Sequence, residues 1–336
     1  MISYFNSGYL IRYPVAFIIA SLVWIPSFVS HDIYFEPNSV FSLLNVDIEW
    51  FRGQSHMLIW VSFLLTLISA LAINQILREY DLVNMHNTAS LVVFVLFTST
   101  IPLFTSVNSF VIINVLLILF MQGILKLSVV ENPVSALFNA SFYLGIASLF
   151  YIPMVYLLPF IWIAVLINRH TDLRNFLVSF AGLLLPFLLI FAIFYWDDTA
   201  IEKGKQLIEM MRDLNFSIKL NMLTYFEISL LLFLLLIIVI SFLILIGKMG
   251  EKSNYTRKNL TVLFYYLFST LFIFLLFSDH PDHLLIFSLP AAFIVTITVY
   301  TVNKSRFINI LFWLLFMGII LNQYYRLLNV TENLFK

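Results

Sequence analysis

Residues 230–247 read LLLFLLLIIVISFLILIG, eighteen positions with no ionisable side chain. At 1.5 Å rise per residue a helix of this run is about 27 Å long, close to the ~30 Å thickness of a bilayer's hydrocarbon core. The run does not alternate apolar with polar, as the roughly ten-residue strands of a membrane β-barrel do. It therefore reads as a transmembrane helix, and similar runs recur along the whole chain.

Composition points the same way. The 336 residues are 62% hydrophobic, 17% aromatic and 11% charged, with mean hydropathy +0.99. A water-soluble domain carries about 25% charged residues, so this chain cannot cover a soluble surface. The expected fold is all-α: a polytopic transmembrane helical bundle forming one integral membrane domain over 1–336. Eleven candidate spans follow from the apolar runs: 13–30, 55–77, 87–106, 108–126, 134–151, 152–168, 175–196, 223–247, 259–278, 283–302 and 306–325. The fifth and sixth are two short spans with Pro153 near the break between them.

Eighteen basic and eighteen acidic residues balance. No basic patch suited to nucleic acid is present. Cysteine is absent, which excludes disulfides and thiolate chemistry. The first apolar run lacks a clear small-residue cleavage site, so it reads as a retained helix. Placing the N-terminus in the cytoplasm puts eleven of the eighteen basic residues in cytoplasmic loops, among them Arg169, Arg174, Arg257 and Lys258. The expected topology is N-in/C-out, in a bacterial inner membrane. Two outer loops are long enough to hold interfacial helices, 31–54 around Trp50 and 197–222, where apolar residues recur at helical spacing against Lys203, Lys205, Glu209 and Arg212.

Candidate chemistry collects on the outer side. His31-Asp32 directly follows the first span. Asp32 is placed to act as a general base on a hydroxyl or to hold a divalent cation; a polar span end accounts for it equally. Arg52 closes the same loop. Asp279-His280-Pro281-Asp282-His283 joins the ninth and tenth spans. Its carboxylates and imidazoles suit a metal, a phosphate or proton transfer. Helix capping by Asp279, with Pro281 in the first turn, explains the string without function but leaves both histidines unexplained. Glu227, near the outer end of the eighth span, is the clear acid within a span. The spans show neither several buried acids nor paired broken helices, which weighs against an ion-coupled transporter. No glycine-rich phosphate loop or nucleophile elbow occurs.

This layout resembles the GT-C superfamily of polytopic glycosyltransferases. The resemblance lies in an acid immediately after the first span (Asp32), an outer loop with an interfacial helix, and the late run HLLIFSLPAAFIVTITVY beginning at His283. FNASFYLGIASLFYIPMVYLLPFIWIAVLI at 138–167 is similar to that superfamily's middle spans, and also to an uncharacterised multi-pass membrane family of Bacteroidota. Many GT-C members have paired acids where this chain has Asp32 alone. The resemblance implies a polyprenyl-phosphate-linked sugar donor used in envelope glycan or glycoprotein assembly. Asp32 would be catalytic. Arg52, His31, His280, His283 and Glu227 would contact donor phosphate or substrate, and Asp32, Asp279 and Asp282 are candidate ligands of a divalent cation. Two other readings stand beside it: a non-catalytic membrane subunit of an envelope, secretion or motility complex, and a lipid or glycan transporter or polymerase.

Overall fold

A computed structural model describes Phe5 and residues 12–30, 55–84, 87–105, 109–212, 223–277, 281–302 and 306–334. Among them no strand occurs. The helices in chain order are α1 (Arg12–Ser30), α2 (Ser55–Glu79), α3 (Ala89–Thr98), α4 (Ser109–Lys126), α5 (Val134–Phe150) and α6 (Leu158–Asn168). They continue as α7 (Leu173–Trp196), α8 (Ala200–Arg212), α9 (Tyr225–Lys248), α10 (Asn254–Phe277), α11 (Leu285–Val302) and α12 (Arg306–Leu334). Short 3-10 turns at Pro102–Thr105, Ile152–Leu157 and Pro281–Leu284 follow α3, precede α6 and precede α11.

Eight of these helices (α1, α2, α4, α7, α9, α10, α11 and α12) are long and apolar enough to cross a membrane. The third, fifth and sixth expected spans are apolar helices that fall short, and a proline stands at each of the two breaks involved. Pro102 has no N–H, and its ring would meet the carbonyl of Thr98, so α3 stops there after ten residues. Pro153 opens a 3-10 turn after the extended Tyr151, which splits 134–168 into α5 and α6. A helix also forms where 197–222 was expected to hold one, as α8; the expected interfacial helix in 31–54 lies outside the described residues.

The centre of the bundle is α11, flanked by α3, α4, α9 and α10. All ten residues of α3 are buried, as is nearly every residue of α11 from Leu285 to Val299. Helices that are apolar all round occupy such interior positions. By contrast α7 and α9 expose Leu177, Leu188, Leu232 and Leu235, the surface expected of helices that face lipid.

Small residues set the closest helix approaches, as they do where lipid supplies no hydrophobic drive between helices. A Cβ on Gly145 of α5 would lie 2.6 Å from the Leu183 carbonyl oxygen and 2.9 Å from Pro186 of α7. Reciprocally, a Cβ on Gly182 of α7 would lie 2.8 Å from the Phe138 carbonyl oxygen and 2.9 Å from Ser141 Cβ of α5. Gly123 of α4 meets Ala136 and Ala140 of α5 in the same way.

Buried polar groups are tied between helices. The Asn74 amide of α2 lies 3.0 Å from Ser90 Oγ and 2.8 Å from the Asn87 carbonyl, and all its neighbours are satisfied when its nitrogen is assigned to face these two and its oxygen to face Arg78. This fixes the α2–α3 corner. Beyond the end of α3, the Ser99 carbonyl accepts from Gln323 Nε2 of α12 at 3.1 Å, and Ser99 Oγ accepts from Trp24 Nε1 of α1 at 3.1 Å. Non-helical backbone inside a membrane bundle needs such internal partners.

Candidate functional site

Of the outer-loop candidates, the described residues include His283, Asp282 and Glu227, and His283 lies where α10 stops and α11 begins. His283 stands in the 3-10 turn that leads into α11, with Pro281 in the first position of that turn. The ring is 4% exposed. It packs edge-on against Phe110 of α4 at 5.3 Å between centroids and lies tilted against Tyr151 at 4.8 Å. Tyr156 stacks on Phe277 beside them. Four chain segments therefore close around His283: the start of α4, the break between α5 and α6, the end of α10 and the entry to α11.

The Tyr151 hydroxyl lies 3.2 Å from both the Phe277 carbonyl oxygen and His283 Nδ1. A hydroxyl has one proton: when it goes to the carbonyl, Nδ1–H donates to the tyrosine oxygen, and when it goes to Nδ1, the ring nitrogen accepts.

Asp282 is half-buried beside His283. Glu227 reaches the same end of the bundle, because α9 and α10 form an antiparallel hairpin through the short turn at 249–253. Its carboxylate accepts from the Thr224 backbone N–H at 2.8 Å and from the Thr224 hydroxyl at 2.9 Å, while Glu227 N–H donates to the Thr224 oxygen at 3.3 Å. This reciprocal capping box accounts for an acid at the edge of so apolar a helix. His31, Asp32, Arg52, Asp279 and His280 lie outside the described residues. Among the described residues no group of three or more His, Asp or Glu side chains is placed to hold a metal ion.

Sequence reasoning selected His283 but missed Tyr151, whose only signal was its place beside the Pro153 break. It also missed the interruption of α3, reading 87–106 as one continuous span.

The fold defines a class: a multi-pass, all-helical membrane protein. Comparison with protein-family models, with curated proteins and with solved structures finds no match.

Proposed function

We propose that the chain is a GT-C-like glycosyltransferase of a bacterial inner membrane, taking a sugar from a polyprenyl-phosphate donor during envelope glycan or glycoprotein assembly. The observation that supports it is His283, buried at the entry to α11 with its Nδ1 against the Tyr151 hydroxyl. Asp32 takes the proton of the acceptor hydroxyl, and the acceptor oxygen bonds to the sugar's anomeric carbon. The bond from that carbon to the phosphate oxygen breaks, and the polyprenyl phosphate leaves with the electron pair. A charged His283, with Arg52, His31 and His280, meets the negative charge that develops on the leaving phosphate. Glu227 keeps a substrate-binding role in this scheme only in addition to its capping role.

The test is an envelope glycan profile in a strain where deletion of the gene alters it. Complementation with Asp32→Asn or His283→Asn should fail while the protein remains in the membrane. Full complementation by both variants overturns the scheme. The burial of His283 among Tyr151 and Phe110 favours one other reading, a non-catalytic membrane subunit in which the ring only packs. That reading expects both variants to complement and a membrane partner to co-purify in fixed ratio.

A further inference from the structure

The opposite end of the bundle carries a second feature. A cavity of about 490 Å³ opens between the end of α6 and the start of α10. Arg169, Arg257 and Lys258 line it, with Asn254 and Thr261 between them and Ile167 and Met249 as an apolar wall. No acid lines it. Arg257 donates to Asn254 Oδ1 at 2.6 Å, and none of the three cations has an ion-pair partner among the described residues. The nearby Lys248 and Lys252 are turned elsewhere, to the Thr301 carbonyl at 3.3 Å and over the Tyr300 ring.

Position defines the depth of this cavity. His283 follows the C-terminal end of α10, and the cavity sits at its N-terminal end. Twenty-four residues separate the two ends by roughly 36 Å. The second path agrees: Tyr151 begins the 3-10 turn and α6, and Arg169 ends them. The cavity therefore lies where the spans leave the hydrocarbon, at the depth of lipid headgroups on the face opposite His283.

Arg169 adds an independent sign. It caps α6 with φ of 64°, in the left-handed region. Glycine or asparagine adopts that conformation at lower cost. A long cation is kept at a strained position, and strain of this kind gathers at ligand sites.

We infer that this cavity binds the phosphate of an anionic lipid headgroup, with the three cations on the phosphate and the Ile167–Met249 wall against the glycerol and first acyl carbons. Three like charges facing one open cavity repel one another, and a phosphate monoanion or dianion relieves that repulsion. Free phosphate shares the charge chemistry but has nothing to place against the apolar wall.

The experiment is native mass spectrometry of the full chain in mild detergent, with phosphatidylglycerol, phosphatidylcholine and inorganic phosphate as probes. Phosphatidylglycerol should be retained and phosphatidylcholine should not. Each of Arg257→Gln and Lys258→Gln should weaken retention about fivefold, with the triple neutral variant weaker again. Lys205→Gln on α8 should leave it unchanged. Arg169→Gly separates binding from folding: it should weaken retention while the melting temperature holds or rises, since the backbone strain is relieved. Retention that survives 10 mM phosphate assigns the lipid, and displacement by phosphate assigns a free phosphate as the ligand of the same three cations. Equal retention of phosphatidylcholine, or unchanged retention in the triple variant, overturns the assignment.

Discussion

The α5–α7 contact offers the sharpest test of the packing. Gly145→Ala places a Cβ 2.6 Å from the Leu183 carbonyl oxygen, about 0.8 Å inside the 3.4 Å of ordinary contact. Gly182→Ala places one 2.8 Å from the Phe138 carbonyl oxygen. In both cases the obstacle is helix backbone, which cannot rotate aside as a side chain can, so the two helices must part. Overpacking of this kind costs about 1–3 kcal/mol. Alanine recovers up to about 1 kcal/mol of helix propensity against glycine, leaving a net loss of up to about 2 kcal/mol for each variant, where Gly247→Ala keeps the gain. Gly247→Ala on α9 is the control, because a Cβ there meets nothing within 4 Å. The double variant carries the distinctive signature. Once α5 and α7 have moved apart for one methyl, the second needs less room, so the double loss should fall short of the sum by about 0.5–1.5 kcal/mol. Equilibrium unfolding in mixed micelles, followed by tryptophan fluorescence, reads all four proteins. If Gly145→Ala behaves like Gly247→Ala, or the two losses simply add, the reciprocal close approach of α5 and α7 is wrong.

Three further outcomes follow from named bonds. Tyr151→Phe removes the donor to the Phe277 carbonyl and the partner of His283 Nδ1, so it should lower stability by about 2 kcal/mol, whereas His283→Phe, which leaves the Tyr151–Phe277 bond in place, should cost less; the same unfolding assay ranks them, and the reverse order would refute this account of the Tyr151 hydroxyl. Thr224→Ala and Glu227→Ala each break one capping box and should destabilise by similar amounts, about 0.5–2 kcal/mol; a glycan defect from Glu227→Ala alone would instead give Glu227 a role in the reaction. Gln323→Leu withdraws the donor from the Ser99 carbonyl and should cost about 1–3 kcal/mol, more than Gln206→Leu on α8, which is only half-buried.

Much of this architecture was legible in the sequence because the bilayer imposes a length and a polarity on each span. The ends of α1, α4, α7 and α9 fall within two residues of expectation, since charges and turn residues bracket those runs. Pro153 marked the α5–α6 division for a local reason that any reader of the chain can see. The shortness of α3 was legible only in part. Pro102 is the local sign that the helix ends, but Gln323 and Trp24, which arrive from distant segments to satisfy the freed backbone and hydroxyl of Ser99, carry no such sign. The same holds at the candidate site. His283 was visible as a histidine at a span edge, but Tyr151 stands 132 positions away and only folding shows that it holds the ring. Glu227 looked anomalous by composition, and the capping box with Thr224 shows how a local turn accommodates a carboxylate at the edge of hydrocarbon.

The interruption of α3 also bears on how the chain is made. Ten residues of helix reach about 15 Å, half of the hydrocarbon thickness, so α3 cannot be a stable solitary insert as it emerges from the ribosome. Its neighbours α11 and α12 are synthesised well after it, and the bond from Gln323 to Ser99 closes across 224 residues. Until α12 has been made, the carbonyl of Ser99 lacks the donor that the folded bundle provides, so the end of α3 reaches its final pairing only after α12 has joined it.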